Sequence, residues 1–397
     1  MTRRMRRKRR YTRRRSGQRG GKFIAAGSYG GVFGGEGGPL PCKGEEKTDH
    51  TIITKLLRKK DADNEFSQKK HLEKVDPDQT FLLYPLAEPC DIKPYHELTH
   101  EQQKWVDIYD EKSKGYPKIN THLDKYKLVK YKYGGVELGN DYVKTVPILK
   151  FLEKYLDLMK GVLKLHNNNM FHCDIKIANI LIDPSDNTIR LVDFGFMHIR
   201  YGNQFLKIID DDLLKNVYEY WPFYLNYLYY DKRTKIHNDE SLYNMFITRQ
   251  SQKIKDQLEK FYKNLEHFTT RYPILHKVFE NLNIKYVKEQ LKILHEYVSE
   301  QIHAAAQNLG IEYVIHQYIK SIILKGIDMF GLGLALVEVL YKHYKYIPGP
   351  IENVILDLMS QNLIFILEND HEDSPLLHRY INNFEKAISL LREEKDT

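Results

Sequence analysis

One stretch constrains this chain more than any other: Phe171-His172-Cys173-Asp174-Ile175-Lys176-Ile177-Ala178-Asn179-Ile180-Leu181-Ile182, followed by Leu191-Val192-Asp193-Phe194-Gly195. Asp174 stands two residues before Lys176 and five before the amide of Asn179. A second carboxylate, Asp193, comes from a neighbouring strand end, between apolar residues and Gly195. An Asn and an Asp converging from two loops suit a hard cation with oxygen ligands, as Mg²⁺ has when it sits on phosphates. Asp174 is then free to orient an attacking hydroxyl, and Lys176 can neutralise charge on a transferred phosphoryl group. A turn-capping role would explain Asp174 alone. It does not explain Asp174, Lys176, Asn179 and Asp193 in one register.

The joint pattern resembles the protein kinases, whose catalytic loop reads H-R-D-x-x-x-x-N and whose metal motif is D-F-G. That resemblance implies Asp174 as catalytic base with Lys176 beside it, Asn179 and Asp193 as metal ligands, and ATP with Mg²⁺ as cofactors. A lysine two residues after the aspartate resembles the serine/threonine branch. The family histidine packs and hydrogen-bonds, so His172 is not read as catalytic.

Upstream parts fall in the family's order. Ile24 to Phe33 resembles the Gly-rich loop G-x-G-x-x-G-x-V, with Ala25 in place of the first glycine; nucleotide contacts are implied at Ala25, Gly27, Ser28, Gly30 and Val32. Glycines there let backbone N–H groups approach phosphates with no side chain in the way. Ile52-Ile53-Thr54-Lys55 resembles the V-A-I-K strand, which implies that Lys55 meets the α/β-phosphates. Its acidic partner is expected from the next helix, with Glu65 chosen over Asp61, Asp63 and Glu73. Residues 127–138 resemble the strand and hinge that hold adenine, with contacts expected within 130–133; Glu137 meets the ribose or is a solvated surface residue. Ile327-Asp328-Met329-Phe330-Gly331-Leu332-Gly333 resembles the D-x-W-S-x-G start of the central helix, with Asp328 tied to the catalytic-loop backbone.

Other positions depart from the family. Cys173 replaces the arginine that pairs with an activation-loop phosphate, so such control is not expected; a buried thiol is the reading preferred over a reactive one. The A-P-E signature is missing, and Trp221-Pro222-Phe223 occupies its place.

The implied fold is α+β and two-lobed, kinase-like, with an antiparallel-sheet N-lobe and a helical C-lobe carrying a helical insertion. The chain's 397 residues exceed an ordinary single domain, whose size is ~100–200 residues. Its expected division is a disordered arm (1–22), an N-lobe (23–133, with an insertion at about 88–125), C-lobe catalytic and metal loops (134–230), a helical insertion (231–320) and C-lobe core helices (321–397). Local pattern predicts a helix from about Asp61 to Val75, a short strand over Thr80–Leu86, a short helix near Glu101–Asp110, and a helix over Leu149–Leu165. Within 231–320, Ile254, Leu258, Phe261, Leu265 and Phe268 mark one amphipathic helix and Val287 to Ile302 another, packed on the protein body rather than on a second copy.

Charge is split unevenly. Twelve of the 61 basic residues lie in residues 1–22, where there is no acid, leaving 49 against 53 acidic residues in the rest. The body is slightly acidic, which excludes a surface that binds nucleic acid throughout. The arm itself suits phosphates of DNA or RNA through counterion release, an acidic partner, or an import signal. One tyrosine and no other aromatic residue in it argue against base stacking. Three scattered cysteines (Cys42, Cys90, Cys173) argue against a secreted disulfide scaffold and for a reducing compartment. The apolar run Ser321–Tyr341 holds Lys325, Asp328 and Glu338, so it reads as a buried helix, not a membrane span; no secretory signal is expected.

The function these features imply is an ATP-dependent serine/threonine kinase acting on a protein substrate inside a cell, in the cytoplasm or nucleus of a host or in a virion. Loop and lobe features resemble kinases of large DNA viruses. Two alternatives are a catalytically weak or inactive kinase-fold scaffold that binds nucleotide and nucleic acid, and a small-molecule phosphotransferase, against which Lys176 argues.

Overall fold

The computed structural model describes residues 22–26, 30–34, 38–45, 49, 51–112, 118–199, 326–360 and 375–396. Residues 1–21 of the basic arm, Gly27 and Ser28, the Trp221-Pro222-Phe223 segment and the whole 231–320 stretch lie outside the described residues. The chain divides into two units, Met1–Phe66 with Pro85–Tyr133, and Ser67–Tyr84 with Gly134–Thr397.

In the first unit, four strands form one antiparallel sheet in sequence order: β1 (Lys22–Ala26), β2 (Gly30–Gly34), β3 (Ile52–Arg58) and β4 (Tyr126–Lys132). Alternation along β3 sends Ile53 and Leu57 to one face and Leu56 to the other. On the first face Leu57, Val129 and Tyr131 pack with Ala62 from helix α1 (Lys59–Val75). On the second face Phe33, Leu56 and Leu128 pack with Trp105, Val106 and Tyr109 from helix α2 (His100–Lys112). The expected short helix near Glu101–Asp110 is therefore the middle of α2. The start of α2 is a reciprocal cap: Thr99 N–H donates to Gln102 Oε1 at 3.1 Å, and Gln102 N–H donates to Thr99 Oγ1 at 3.3 Å.

The segment before β3 is pinned to the same face. Leu40 N–H donates to the buried Thr54 hydroxyl at 2.9 Å, and Gln102 Nε2 donates to Pro39 O at 3.1 Å. Cys42 and Cys90 form a disulfide across 48 residues of sequence. This bond runs against the reading of scattered, reduced cysteines, because it depends on Cys42 bridging to Ile92 and Cys90 to Leu128 in space.

The second unit is mainly helical. α3 (Ile148–Asn167) presents Phe151, Leu152, Tyr155, Leu158, Met159, Val162 and Leu165 to the core. A three-stranded sheet is ordered β5 (Val136–Glu137), β7 (Ile180–Ile182), β8 (Ile189–Leu191); β6 (Met170–Phe171) pairs with β9 (His198–Ile199). Beyond them lie α4 (residues 326–339), a π turn Leu340–Tyr344, α5 (Gly349–Ser360) and α6 (Pro375–Asp396). α6 packs on α3 through Tyr155 and Phe384, with ion pairs Lys160–Glu385 and Arg392–Glu153 at 2.6 and 2.7 Å on the surface.

The strand expected over Thr80–Leu86 does not form. Only an isolated bridge, Leu82 to Leu191, is made there. Three of its amide groups go elsewhere: buried Asp76 accepts from the N–H groups of Thr80, Phe81 and Leu82 at 2.8–2.9 Å, while Leu83 N–H donates to Leu191 O at 2.9 Å. A carboxylate satisfies those donors, so the segment turns where a strand would need a ladder partner.

Cys42→Ser should lower the stability of the first unit by about 2–4 kcal/mol, because a disulfide restricts the unfolded chain, and more so, though only logarithmically, for a longer closed loop. The difference should appear in a denaturant titration without reductant and vanish when reductant is added. Equal midpoints without reductant would show that the two sulfurs are not bonded.

Candidate active site

In the second unit, the register of a hairpin brings two chemically important ends together. Ile180 opposes Leu191 and Ile182 opposes Ile189. One step further, Val192 N–H donates to Asn179 O at 3.0 Å. Asn179, before β7, and Asp193, after β8, therefore lie at the same end of this hairpin. Asp174 is buried, and its two oxygens accept from Lys176 Nζ at 3.0 and 2.8 Å. Asn179 Nδ2 donates to Asp174 O at 2.9 Å and to Asp174 Oδ2 at 2.7 Å. Those bonds commit the amide nitrogen of Asn179 and leave Oδ1 out of them. An amide oxygen and a carboxylate are the donors a hard cation takes, and Mg²⁺ needs few protein ligands when phosphates and water complete its shell. Asn179 and Asp193 thus fit that ion, and no cluster of three or more His, Cys, Asp or Glu side chains occurs among the described residues.

The loop carrying Asp174 is held from below by Asp328 of α4. Asp328 Oδ2 accepts from His172 N–H at 2.9 Å and Oδ1 accepts from Cys173 N–H at 2.7 Å. His166 Nε2 donates to the same carboxylate at 3.0 Å, leaving His166 Nδ1 buried without a partner. This is the backbone tie expected of Asp328. Cys173 takes φ 61° and Asp193 φ 68°, a left-handed region that costs non-glycine residues about 1–3 kcal/mol. α4 lies close beneath: a Cβ on Gly331 would sit 2.6 Å from Ile175 O.

His172 joins the two loops. Its Nε2 donates to Val192 O at 3.1 Å, Nδ1 accepts from Asp174 N–H at 3.3 Å, and its ring meets Phe194 edge-on. Both nitrogens are used, which agrees with a structural histidine. Cys173 is buried; burial first, and then the charges of Asp328 and Asp174, push its thiol well above the ordinary range. A thiol kept protonated and buried is a poor nucleophile, so the unreactive reading stands.

In the first unit, Lys55 Nζ donates to both Glu65 oxygens at 2.9 Å. The competing acids are disposed otherwise: Asp61 pairs with Arg58 at 2.6 Å, and Asp63 and Glu73 are exposed. Arg58, Lys59 and Lys60 are exposed. Ala25 lies on β1 opposite Val32 of β2, and Gly30 opposes Leu57. Residues 130–132 belong to β4 and Glu137 to β5. Sequence reasoning missed two members of these clusters. His166 gave no signal because a helical histidine reads as ordinary. Tyr131, whose hydroxyl donates to Glu65 Oε1, was absorbed into the hinge segment.

Comparison with known proteins bears on residues around the Asp174 loop. Residues 146–211 match the model of the protein kinase domain. The chain is 48% identical over 42 residues to the membrane-associated tyrosine- and threonine-specific cdc2-inhibitory kinase of Drosophila melanogaster, covering 11% of this chain and 8% of that protein. It is 34% identical over 92 residues to the serine/threonine-protein kinase shk2 of Schizosaccharomyces pombe, covering 20% and 15%. It is 33% identical over 64 residues to a dual serine/threonine and tyrosine protein kinase of Apis mellifera, covering 16% and 6%. These matches support the protein kinase superfamily. The chain spans only a small part of the length of each relative. Among the described residues no helix is long and apolar enough to cross a membrane.

Asp328→Ala should destabilise the second unit by about 3–5 kcal/mol, the cost of leaving buried donors without their charged partner. Asp328→Asn should cost less, since one amide oxygen can still accept. Denaturant unfolding followed by far-UV dichroism reads both; two variants within about 1 kcal/mol of wild type, well below the loss expected for a broken buried charge pair, would contradict the tether.

Proposed function

We propose that this protein is an ATP-dependent serine/threonine protein kinase, transferring the γ-phosphoryl group of Mg-ATP to a protein hydroxyl. The observation that carries the reading is the cluster in which Asp174 binds both Lys176 and Asn179, with Asp193 at the same hairpin end. It lies inside the segment similar to kinases.

Asp174 takes the part of the base. Its carboxylate accepts the proton of the attacking hydroxyl as the new O–P bond forms and the bond to the β-phosphate oxygen breaks, releasing ADP. Lys176 and Asn179 fix the carboxylate's orientation, and Lys176 offsets charge on the phosphoryl oxygens. Asn179 Oδ1 and the Asp193 carboxylate would hold Mg²⁺. When bound, Mg-ATP supplies the transferable group and neutralises its charge. Lys55, paired with Glu65, binds the α/β-phosphates, with the Ala25–Val32 hairpin as the Gly-rich loop. Positioning and electrostatics provide the acceleration, as is general for phosphoryl transfer.

Lys176 at its spacing from Asp174 supports serine and threonine as acceptors. In this reading residues 23–133 form the N-lobe, 134–230 and 321–397 the C-lobe, and 231–320 its insertion. Cys173 in place of arginine supports activity without a phosphorylated activation loop. The arginines of the first 22 residues support a separate attraction to phosphate-bearing or acidic partners. Residues 171–182 support an origin among kinases of large DNA viruses, working inside the host cell.

Asp174→Asn should cut transfer of labelled phosphate from Mg-ATP to a basic serine/threonine substrate by about 10²–10⁴-fold, the usual share of a general base. Thermal stabilisation by ATP should persist in the variant. Transfer equal to wild type would remove Asp174 from the chemistry. Stabilisation by ATP without transfer in the wild type would favour a nucleotide-binding scaffold.

A further inference from the structure

The Lys55–Glu65 pair has a third member on another strand. In the β3–β4 ladder Lys55 opposes Val129 and Ile53 opposes Tyr131. Opposed residues point to the same face of a sheet, as do residues two apart on one strand. Tyr131 therefore shares the face of Lys55, the face covered by α1. Glu65 and Tyr131 are each only 6% exposed. Within this buried setting Lys55 Nζ reaches both Glu65 oxygens, and Tyr131 Oη donates to Glu65 Oε1.

A buried carboxylate is costly unless its charge is paired and its lone pairs are filled. Lysine alone provides the charge but holds it on a flexible four-carbon stem. A tyrosine on a sheet is stiffer: its ring is wedged among Leu57, Ala62 and Val129, and its hydroxyl reaches a fixed point. It therefore sets where the carboxylate sits, and the carboxylate sets where the ammonium sits. We propose that Tyr131 is a positioning residue of the phosphoryl-transfer site, acting through Glu65 to fix Lys55. This rests on the kinase reading for its catalytic consequence, and on the buried hydrogen bond for its physical content.

Tyr131→Phe keeps the ring and removes only the donor. The test is a double-mutant cycle with Glu65→Leu, which leaves no acceptor for the hydroxyl, read in two ways. In denaturant unfolding, which needs no activity, the effects of Tyr131→Phe and Glu65→Leu should be non-additive. In phosphate transfer, Tyr131→Phe should lower kcat/KM about tenfold, as expected for a lost hydrogen bond to a charged group. In the Glu65→Leu background it should cost less than about twofold. Full additivity in unfolding would show that the hydroxyl does not engage Glu65 and would overturn the proposal. Non-additive unfolding with full additivity, or no loss, in transfer would leave Tyr131 a stability residue and overturn the positioning role. Non-additive unfolding with no Asp174-dependent transfer in the wild type would instead overturn the kinase reading, and the catalytic role of Tyr131 with it.

Discussion

A single buried carboxylate shapes the second unit. Asp328 gathers the amides of His172 and Cys173 and the imidazole of His166. A loop that departs from helix and strand must find partners for its amide groups, or lose about 1–3 kcal/mol for each one buried without them. Asp328 supplies two such partners with one side chain. That lets the chain turn through the left-handed conformation of Cys173 and present Asp174 immediately afterwards. Gly331, one helical turn further along α4, keeps the helix near enough for the carboxylate to reach.

The same device recurs where irregular backbone or a buried charge must be held. Asp76 takes the amides of residues 80–82 and turns a potential strand into a capped turn. Glu65 gathers Lys55 and Tyr131. In each case the acid is buried and its cost is offset by the donors it gathers: loop amides for Asp328 and Asp76, strand side chains for Glu65. The strands and helices come from apolar periodicity. The irregular segments rest on Asp328 and Asp76, which makes them sensitive to changes that leave the apolar core intact.

What was legible in the sequence follows that division. Periodicity located α3 closely, because Leu152, Tyr155, Met159 and Val162 on one face leave little choice of helix. Spacing located the residues that surround Asp174, since Lys176 and Asn179 are near in sequence and meet through local bonds. Thr80–Leu86 was misread because its apolar content favours a strand while the partner of its amides, Asp76, lies just outside the apolar pattern. The Cys42–Cys90 bond and the Tyr131–Glu65 contact were invisible for a different reason. Both join positions far apart in sequence, 48 residues for the sulfurs and 66 for the hydroxyl and carboxylate; isolated bridges place the sulfurs, and packing of α1 on the sheet brings Glu65 to Tyr131.

Cys173 shows how a departure from a motif can be accommodated. An arginine there would bring a permanent positive charge to a buried position, which needs ion-pair and hydrogen-bond partners. The thiol brings no charge: it stays neutral because burial and the two acids oppose its ionisation. Its backbone N–H carries the structural duty by binding Asp328, whatever the side chain. Hydrogen bonds within the second unit hold the loop, from Asp328 below and from His172 to Val192 across the hairpin end.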